Sequence, residues 1–516
     1  MGSPVLMEFY KNKPTIQEEP QMVKKQKKDN TKKLFSKEDN KKSAEARKIN
    51  ASTHYETCTE QLSPFGGILA LIKFFDVVKF EEIIEHAYHK PKRKPKLGDY
   101  RMVVGILMLI FIGFNRLAHF AYIRTDAMLC GFFRVMCLPV VSTFWRYVNS
   151  LGINQANSLL KVMSILRERV WQQCRLNYRR IHVDIDTTVE TLYGNQQGGR
   201  KGHNTKHRGK KAYRPILGFI EESREYLVGK LRKGKTVSGK ECATFIKTIK
   251  HQLPGCVKEV VVRADGELLS GESVSALIEE GFDFIIGNKK CNPKFDSGKW
   301  YKVGKEEGIK YNSCRYKPMG WEVSCRFVVM RILKEIHNDT GKHVQLPLFE
   351  EDLYIYRIFC TSLKGKAHKV IAKYDKRADV ENLIGEAKRE GLDAIPSAKF
   401  KNNYAWFQLV MLSYNIWRYM KILAQRSIQE APASRSDNAH GALKGIMDNT
   451  IRLARLKLLF IAAKVPFHDN KTKVRYSIHD TRTPAMLHFL KFLDKARTKI
   501  RPWIEGKFWP CRFALN

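Results

Sequence analysis

Near residue 179 the apolar residues switch from a helical period to a strand period, and this change limits what the chain can fold into. Before it, FGGILALIKFFDVVKFEEIIEHAY, YRMVVGILMLIFIGFNRLAHFAY and NSLLKVMSILRERVWQQC repeat apolar groups at helical spacing, as helices with a buried face do. After it, Ile181–Asp186 alternates, Pro215–Ile220 and Tyr226–Leu231 read as a hairpin, and Lys240–Leu253 is an amphipathic helix. A buried strand over Val260–Val262, a helix over Ser273–Glu280 and a strand over Phe282–Ile286 follow. The order β-β-β-α-β-α-β predicts an α/β layer on a mixed sheet, with three strands meandering and two more returning through helices. Strand-like text (WEVSCRFVVMRIL, LYIYRIF) then runs to about Leu363, and helices resume over Ala367–Glu390 and from Asn403. The chain therefore divides into a basic arm over 1–50, expected to be disordered, and an all-helical N-terminal domain over 51–178. The α/β core follows over 179–287, interrupted by a β-rich insertion over 288–364, and ends in helices over 365–428 and a basic C-terminal region over 429–516.

Charge narrows the partner. Lys and Arg number 92 against 52 Asp and Glu, a net +40, while 43% of the residues are apolar, as in ordinary globular proteins. The arm holds only 13 of these cations and 7 of the acids, so the excess belongs to the folded body. Such a surface suits a polyanion, of which the nucleic-acid backbone is the usual one, and disfavours a small-metabolite enzyme. The 11 cysteines are scattered with no C-x2-C spacing, which argues against a zinc ribbon or a disulfide scaffold. The longest apolar run, Val103–Phe114, falls short of the ~20 residues that span a bilayer, and no signal pattern opens the chain. A reducing, aqueous compartment and no membrane partner are expected.

In IHVDIDTT a period of two puts His182, Asp184 and Asp186 on one strand face, opposite Val183 and Ile185. The apolar face must pack, so the acids are expected to point outward together. In KEVVVRADGE, Asp265 ends an apolar strand, where loops of α/β sheets collect chemistry. YDKRADVENLIGEAK offers a third acid: on one helix, Tyr374, Arg377, Glu381 and Lys388 fall within a stripe ~60° wide. Val380, Leu383, Ile384 and Ala387 occupy the adjoining, buriable face. Three carboxylates from two strands and a helix are what a two-metal phosphoryl-transfer site needs, because Mg²⁺ takes hard oxygen ligands and paired ions clamp the attacking and leaving oxygens. No Walker lysine loop, H-E-x-x-H or G-x-S-x-G competes with them.

These residues carry a resemblance. The chain resembles the DDE transposases of bacterial insertion sequences, in the group with a Tyr-x2-Arg-x3-Glu-x6-Lys signature, which Tyr374, Arg377, Glu381 and Lys388 match without a gap. IHVDIDTTVETLYGNQQGGRKGHN, VVVRADGELL and RADVENLIGEAKREGLDAIPS resemble the three acidic regions of that group, covering about 180–425. The resemblance implies an RNase H-like core with a β-rich insertion before the last catalytic helix. It implies Asp186, Asp265 and Glu381 as catalytic, metal-holding residues, with Asp184 as second choice to Asp186. It also implies two Mg²⁺ per site, with Mn²⁺ as a substitute, and a homodimer that brings two DNA ends into one synaptic complex. The expected activity is binding of terminal inverted repeats, cleavage of the ends through DNA hairpins and joining to target DNA, in the bacterial cytoplasm at the nucleoid. The alternatives are a catalytically silent DNA-binding descendant and an RNase H-like nuclease without strand transfer.

DNA contacts are expected in four places. Gly194–Arg214 carries Arg200, Lys201, Lys206, Arg208, Lys210, Lys211 and Arg214 with no acid, a loop suited to a phosphate backbone. DAMLCGFFRVMCLPVVSTFWRYVNSLG reads as a helix, a Leu138-Pro139 break and a second helix N-capped by Ser142 or Thr143. That layout suits a helix-turn-helix with Thr143 and Arg146 toward a major groove, or two helices of a bundle. In the β-rich segment, Trp300 and Trp321 lie among lysines, a pattern suited to stacking on an unpaired base or to ordinary packing. Tyr374, Arg377 and Lys388 complete the set, beside the cut phosphates.

Overall fold

The computed structural model describes residues 49–202, 207–304, 308–334, 353–430, 441–468 and 471–498. The arm over 1–48, with Lys206 and the segment 335–352, lies outside the described residues. By contacts the chain forms two units, 1–59 and 60–516. In the described part of the first, Asn50 Oδ1 accepts the Ser52 N–H at 3.0 Å, closing a turn.

The helical period folds into α1 (Ile68–Val77), α2 (Phe80–Ala87), α3 (Asp99–Ile112), α4 (Ala127–Phe133), α5 (Val141–Ser150) and α6 (Ile153–Cys174). α3 is apolar on all sides and buried from Met102 to Ile112, as a helix at the centre of a bundle must be. The span is not wholly helical: Leu62–Ser63 pairs as a short strand with Ala463–Lys464, which pairs in turn with Arg475–Tyr476. No single helix among the described residues is long and apolar enough to cross a membrane.

The strand period folds into β1 (Arg180–Thr187), β2 (Ile216–Ile220) and β3 (Tyr226–Lys230), then α7 (Gly239–Lys250), β4 (Glu259–Ala264), α8 (Gly271–Glu279) and β5 (Asp283–Gly287). β1 pairs antiparallel with β2 and parallel with β4, and β4 is parallel to β5. The expected β-β-β-α-β-α-β order is thus present, as a mixed sheet whose centre is β1. The strands expected between 288 and 364 appear as β6 (Ile309–Tyr316), β7 (Cys325–Leu333) and β8 (Tyr354–Thr361). In sequence they fall between β5 and the helices from Ala367, and in space they extend the same sheet. β8 pairs with β5 from Phe359 opposite Gly287 to Thr361 opposite Ile285, giving one eight-stranded sheet in the order β6-β7-β8-β5-β4-β1-β2-β3. The pairing covers an edge of β5 that would otherwise leave backbone groups unpaired.

α9 (Ala367–Asp375), α10 (Asp379–Ala387) and α11 (Phe400–Gln429) follow, then α12 (Ile451–Leu458) and α13 (Thr483–Thr498). α11 has 30 residues, roughly 45 Å at 1.5 Å per residue, is buried along most of its length and packs against α3 and α6. A polar knot ties the helices to the sheet: buried Glu225 accepts from Arg167 Nε at 3.0 Å, Trp171 Nε1 at 2.8 Å, Tyr419 Oη at 2.6 Å and Ser223 Oγ at 2.7 Å. With four donors this carboxylate is satisfied, which is the condition for burying it. The C-terminal region folds back: α13 packs on α1, and buried pairs Glu386–Arg418 and Glu390–Arg455 lock α10 and the turn after it to α11 and α12.

Candidate active site

Every element that brings chemistry to the site ends at the same edge of the sheet. Asp186 stands one residue before the end of β1, Asp265 directly after β4, and Glu381 in the first turn of α10. The Asp186 carboxylate accepts the Thr187 N–H at 2.8 Å and lies 3.2 Å from Arg377 Nη2. Burial pushes the Asp186 carboxyl up to about 6; Arg377 and the Thr187 amide oppose this, while the negative charges of Asp265 and Glu381 add to it. Asp265 moves the other way. Burial would raise it, but the Lys289 ammonium at 3.1 Å, the Gly266 amide and Arg377 hold it below the ordinary carboxylate range. Asp186 thus feels the charges of both other acids, but burial is the main cause of its rise and Arg377 is the charge that acts on it most strongly.

The signature residues do not lie on one continuous α-helix as the 100° reading expects. α9 ends at Asp375, a 3-10 turn covers Lys376–Ala378, and α10 begins at Asp379. The tightened turn carries buried Arg377 toward the strand, where Nη2 also donates to the Ile185 carbonyl at 3.3 Å. Arg377 Nε is buried with no hydrogen-bond partner, an unused donor at the site. Tyr374 packs its ring on Phe359 at 4.5 Å, and burial pushes its hydroxyl up to about 12. Lys388 Nζ donates to the Val189 carbonyl at 2.8 Å and lies 3.6 Å from Asp393. Arg377 and Lys388 thus reach β1 and the segment just past it despite the broken helix, while Tyr374 packs on β8 with its hydroxyl beside Gly287 of β5.

The expectation that His182, Asp184 and Asp186 face outward together fails at Asp184. β1 is a central strand, so both of its faces are covered, and Asp184 is 3% exposed. It is held as a bidentate pair by Arg263, Nε at 2.6 Å and Nη2 at 2.7 Å. Arg263 also reaches Glu221 at 3.0 Å, and Glu222 lies 2.8 Å from His182 Nδ1. Among the described residues, His182, Glu221 and Glu222 are the acid-histidine group whose ligand atoms all lie within 4.8 Å of one another. They sit about 13 Å along β1 from Asp186, at 3.3 Å per residue. Asp184 thus belongs to this structural network.

Three carboxylates of hard oxygen, one of them raised chiefly by burial and further by its acidic neighbours, fit a divalent cation, since such an ion would stabilise the charged form. The oxygens of Asp186, Asp265 and Glu381 do not close to the 4.8 Å spacing as they stand. Lys289 occupies part of that space on Asp265.

The cations expected on DNA divide. Arg200, Lys201 and Lys211 lie on a small sheet of strands 190–191, 200–201 and 211–213, and are exposed along with Arg208 and Lys210. Lys210 Nζ stands 5.2 Å over the Tyr193 ring. Arg214 does not join them. It is mostly buried and paired with Glu267 at 2.6 Å, a residue that also lies 3.4 Å from Thr187 Oγ1. Sequence reasoning missed Glu267 and Lys289; the signals available were a second acid two residues past Asp265 and a lysine pair after β5.

On α5 the expected cap is displaced. The helix starts at Val141 after an N-cap at Val140, so Ser142 and Thr143 lie inside the first turn, and no side chain caps it. Arg146 is exposed and bonds back to Ser142 O at 3.2 Å, and Trp145 beside it is 50% exposed. In the β-rich segment, the Arg331 guanidinium lies 4.3 Å from the Trp300 ring and 4.3 Å from the Tyr354 ring. One face of Trp300 is therefore taken. Trp321 packs on Gly271 and lines a cleft of about 930 Å³ with Lys290 and Tyr316.

Residues 45–498 match the family model described as "Transposase DDE domain group 1". No curated protein matches the chain in sequence. Among solved structures, the cryo-EM structure of the piggyBac transposase synaptic complex with hairpin DNA is similar at 10% identity and a TM-score of 0.37, covering 75% of this chain and 81% of that one.

Proposed function

The chain belongs to the DDE transposase family, group 1, and on that premise we propose that Asp186, Asp265 and Glu381 are its catalytic, metal-holding residues. It is a DNA-binding enzyme of DNA transposition. The observation that supports the residue assignment is that Asp186 and Asp265 stand at the C-terminal ends of neighbouring parallel strands and that the charges of Asp265 and Glu381 both reach Asp186. We read the core as RNase H-like, the helical span before it as a DNA-binding and dimerisation domain, and the assembly as a homodimer that cuts two ends together. The favoured ion is Mg²⁺, two per site, with Mn²⁺ as a substitute. Bound metal supplies charge neutralisation for in-line displacement at phosphorus.

The chain's own residues do the positioning. Arg377 holds Asp186 in place through Nη2 at 3.2 Å. Lys388, anchored on the Val189 carbonyl, sets a cation just past the first acid, and Tyr374 closes the apolar side of the site. Water first displaces the 3′ oxygen at an element end. The freed 3′-hydroxyl then attacks phosphorus in the opposite strand, forming the hairpin phosphodiester as the 3′ oxygen of the flanking nucleotide leaves; water opens the hairpin at that bond, and the regenerated 3′-hydroxyl attacks a target phosphodiester, whose own 3′ oxygen leaves. Its place of action is the bacterial cytoplasm, at the nucleoid, which the scattered cysteines support.

The test is purified full-length protein with Mg²⁺ and DNA carrying the ends of its element, resolved on denaturing gels. Cut and joined products are expected. Asp265→Asn and Glu381→Gln should abolish cutting and leave DNA binding near wild type, because these acids hold metal and repel DNA. Cutting by both variants would refute the assignment, and cutting without joining by the wild type would make the enzyme a nuclease of the same fold.

A further inference from the structure

We propose that Lys233, Lys399 and Lys401 form a bridge that binds the backbone of duplex DNA between the small basic sheet and α5; the proposal rests on the transposase reading above. The bridge is built on a junction that the reaction does not use. Tyr213, in the small sheet, donates its hydroxyl to the Gln197 carbonyl at 2.7 Å, and the Gln197 N–H donates to the Ala398 carbonyl at 2.7 Å. The Phe400 ring meets the Tyr213 ring edge-on at 5.4 Å. Gly198, at φ +82°, lies between: a Cβ there would stand 3.2 Å from the Phe400 ring and 3.3 Å from Lys233 Cγ. The stem of Lys233 and the residue between Lys399 and Lys401 therefore pack on the same glycine.

The other end of the junction is fixed to the helical bundle. Ser397 Oγ donates to Asn149 Oδ1 at 2.7 Å, and Asn402 Nδ2 donates to the carbonyls of Asn149 at 3.0 Å and Leu151 at 2.6 Å. Lys401 Cδ lies 3.9 Å from the Cβ position of Gly152, at the start of α6. Residues 397–402 are thus bonded both to the sheet that follows Asp186 and to the end of α5.

Lys233, Lys399 and Lys401 are all exposed, and among the described residues no carboxylate pairs with them. At a net charge of +40 many surface lysines have no acidic partner, and these three differ in standing together on one hydrogen-bonded junction; Lys247 and Lys250, by contrast, pair with Glu279 at 2.9 Å and Glu280 at 3.1 Å. Unneutralised cations on a rigid platform suit a stiff polyanion. A single strand would call for exposed rings to stack on, and the junction itself offers none, since Tyr213 is buried and Phe400 is turned into it; the exposed rings, Trp145 on α5 and Tyr193 beside the small sheet, lie beyond its two ends. Duplex DNA fits, running from α5 over the bridge to the acids.

The experiment measures binding of full-length protein to a labelled duplex of roughly 40 bp, by anisotropy, as a function of KCl. Three lost phosphate contacts should lower the slope of log K against log salt by about 2.7. The affinity gap between wild type and the combined Lys233→Ala, Lys399→Ala, Lys401→Ala variant should therefore narrow by about 40-fold between 50 and 200 mM salt. Lys247→Ala with Lys250→Ala, which removes surface charge already paired with acids, should keep the wild-type slope. A triple variant with the wild-type slope overturns the bridge, and so does an equal fall in the control, which would reduce the effect to net charge. End cleavage by the wild type reads the transposase assignment separately: cutting with an unchanged slope sinks only the bridge, and a lowered slope without cutting sinks only the transposase assignment.

Discussion

Asp186→Asn tests the electrostatics of the site without any DNA. In the folded chain burial, assisted by Asp265 and Glu381, raises this carboxyl from an ordinary 3.8 to about 6. A shift of about two units corresponds to roughly 3 kcal/mol, at 1.36 kcal/mol per unit. The folded form holds a proton that the unfolded chain releases, so this stability is fully present below pH ~4 and is lost as pH rises through about 6. Asn has nothing to ionise. In metal-free protein, the stability of Asp186→Asn relative to wild type should therefore rise by up to about 3 kcal/mol between pH 4 and pH 6 and stay level above. Urea unfolding of both proteins at each pH, taken as a difference so that other titrations cancel, gives the curve. Millimolar Mg²⁺ at pH 7.5 should then stabilise the wild type, by about 2.7 kcal/mol at a hundred times Kd, and leave the variant unmoved. A difference that stays flat from pH 4 to 6 would refute the claim that burial raises the Asp186 carboxyl in the folded chain.

Asp184→Asn should lower stability by about 3–5 kcal/mol in the same assay, because it leaves the Arg263 guanidinium buried without its bidentate partner; a near-neutral variant would show the pair to be dispensable. Trp300→Ala should cost about 1–2 kcal/mol through loss of the Arg331 cation–π contact, measured by urea midpoint. Trp321→Ala, beside the open cleft, should instead accumulate nicked ends and slow hairpin formation by roughly one to two powers of ten, and wild-type hairpin rates would exclude it as a stacking platform. Glu267→Gln should free Arg214 from its ion pair and strengthen nonspecific duplex binding at low salt, and an unchanged affinity would mean that Arg214 cannot reach DNA.

Much of the fold was legible because local periods carry it. The two-residue alternation of β1 and the apolar stretches of α3 and α11 follow from which groups must leave water, and those stretches name their own partners only as "buried". The acids could be found because Asp186, Asp265 and Glu381 each stand where an apolar element ends or turns its polar side outward. The sequence by itself therefore determined the element order, the basic surface and the acids Asp265, Glu381 and Asp184 or Asp186 as candidates, and the family resemblance chose Asp186 from that last pair. Only the tertiary structure decided which acids share an environment. Asp184 and Asp186 have the same strand parity, yet Arg263, 79 residues from Asp184 in the chain, claims one and Arg377 meets the other. Arg214 looked like one more loop cation until Glu267 closed on it, and the β-rich segment looked separate until β8 paired with β5. Period and composition are properties of neighbours along the chain, whereas ion pairs, strand edges and the burial that raises Asp186 depend on distances in space, which only the folded packing sets.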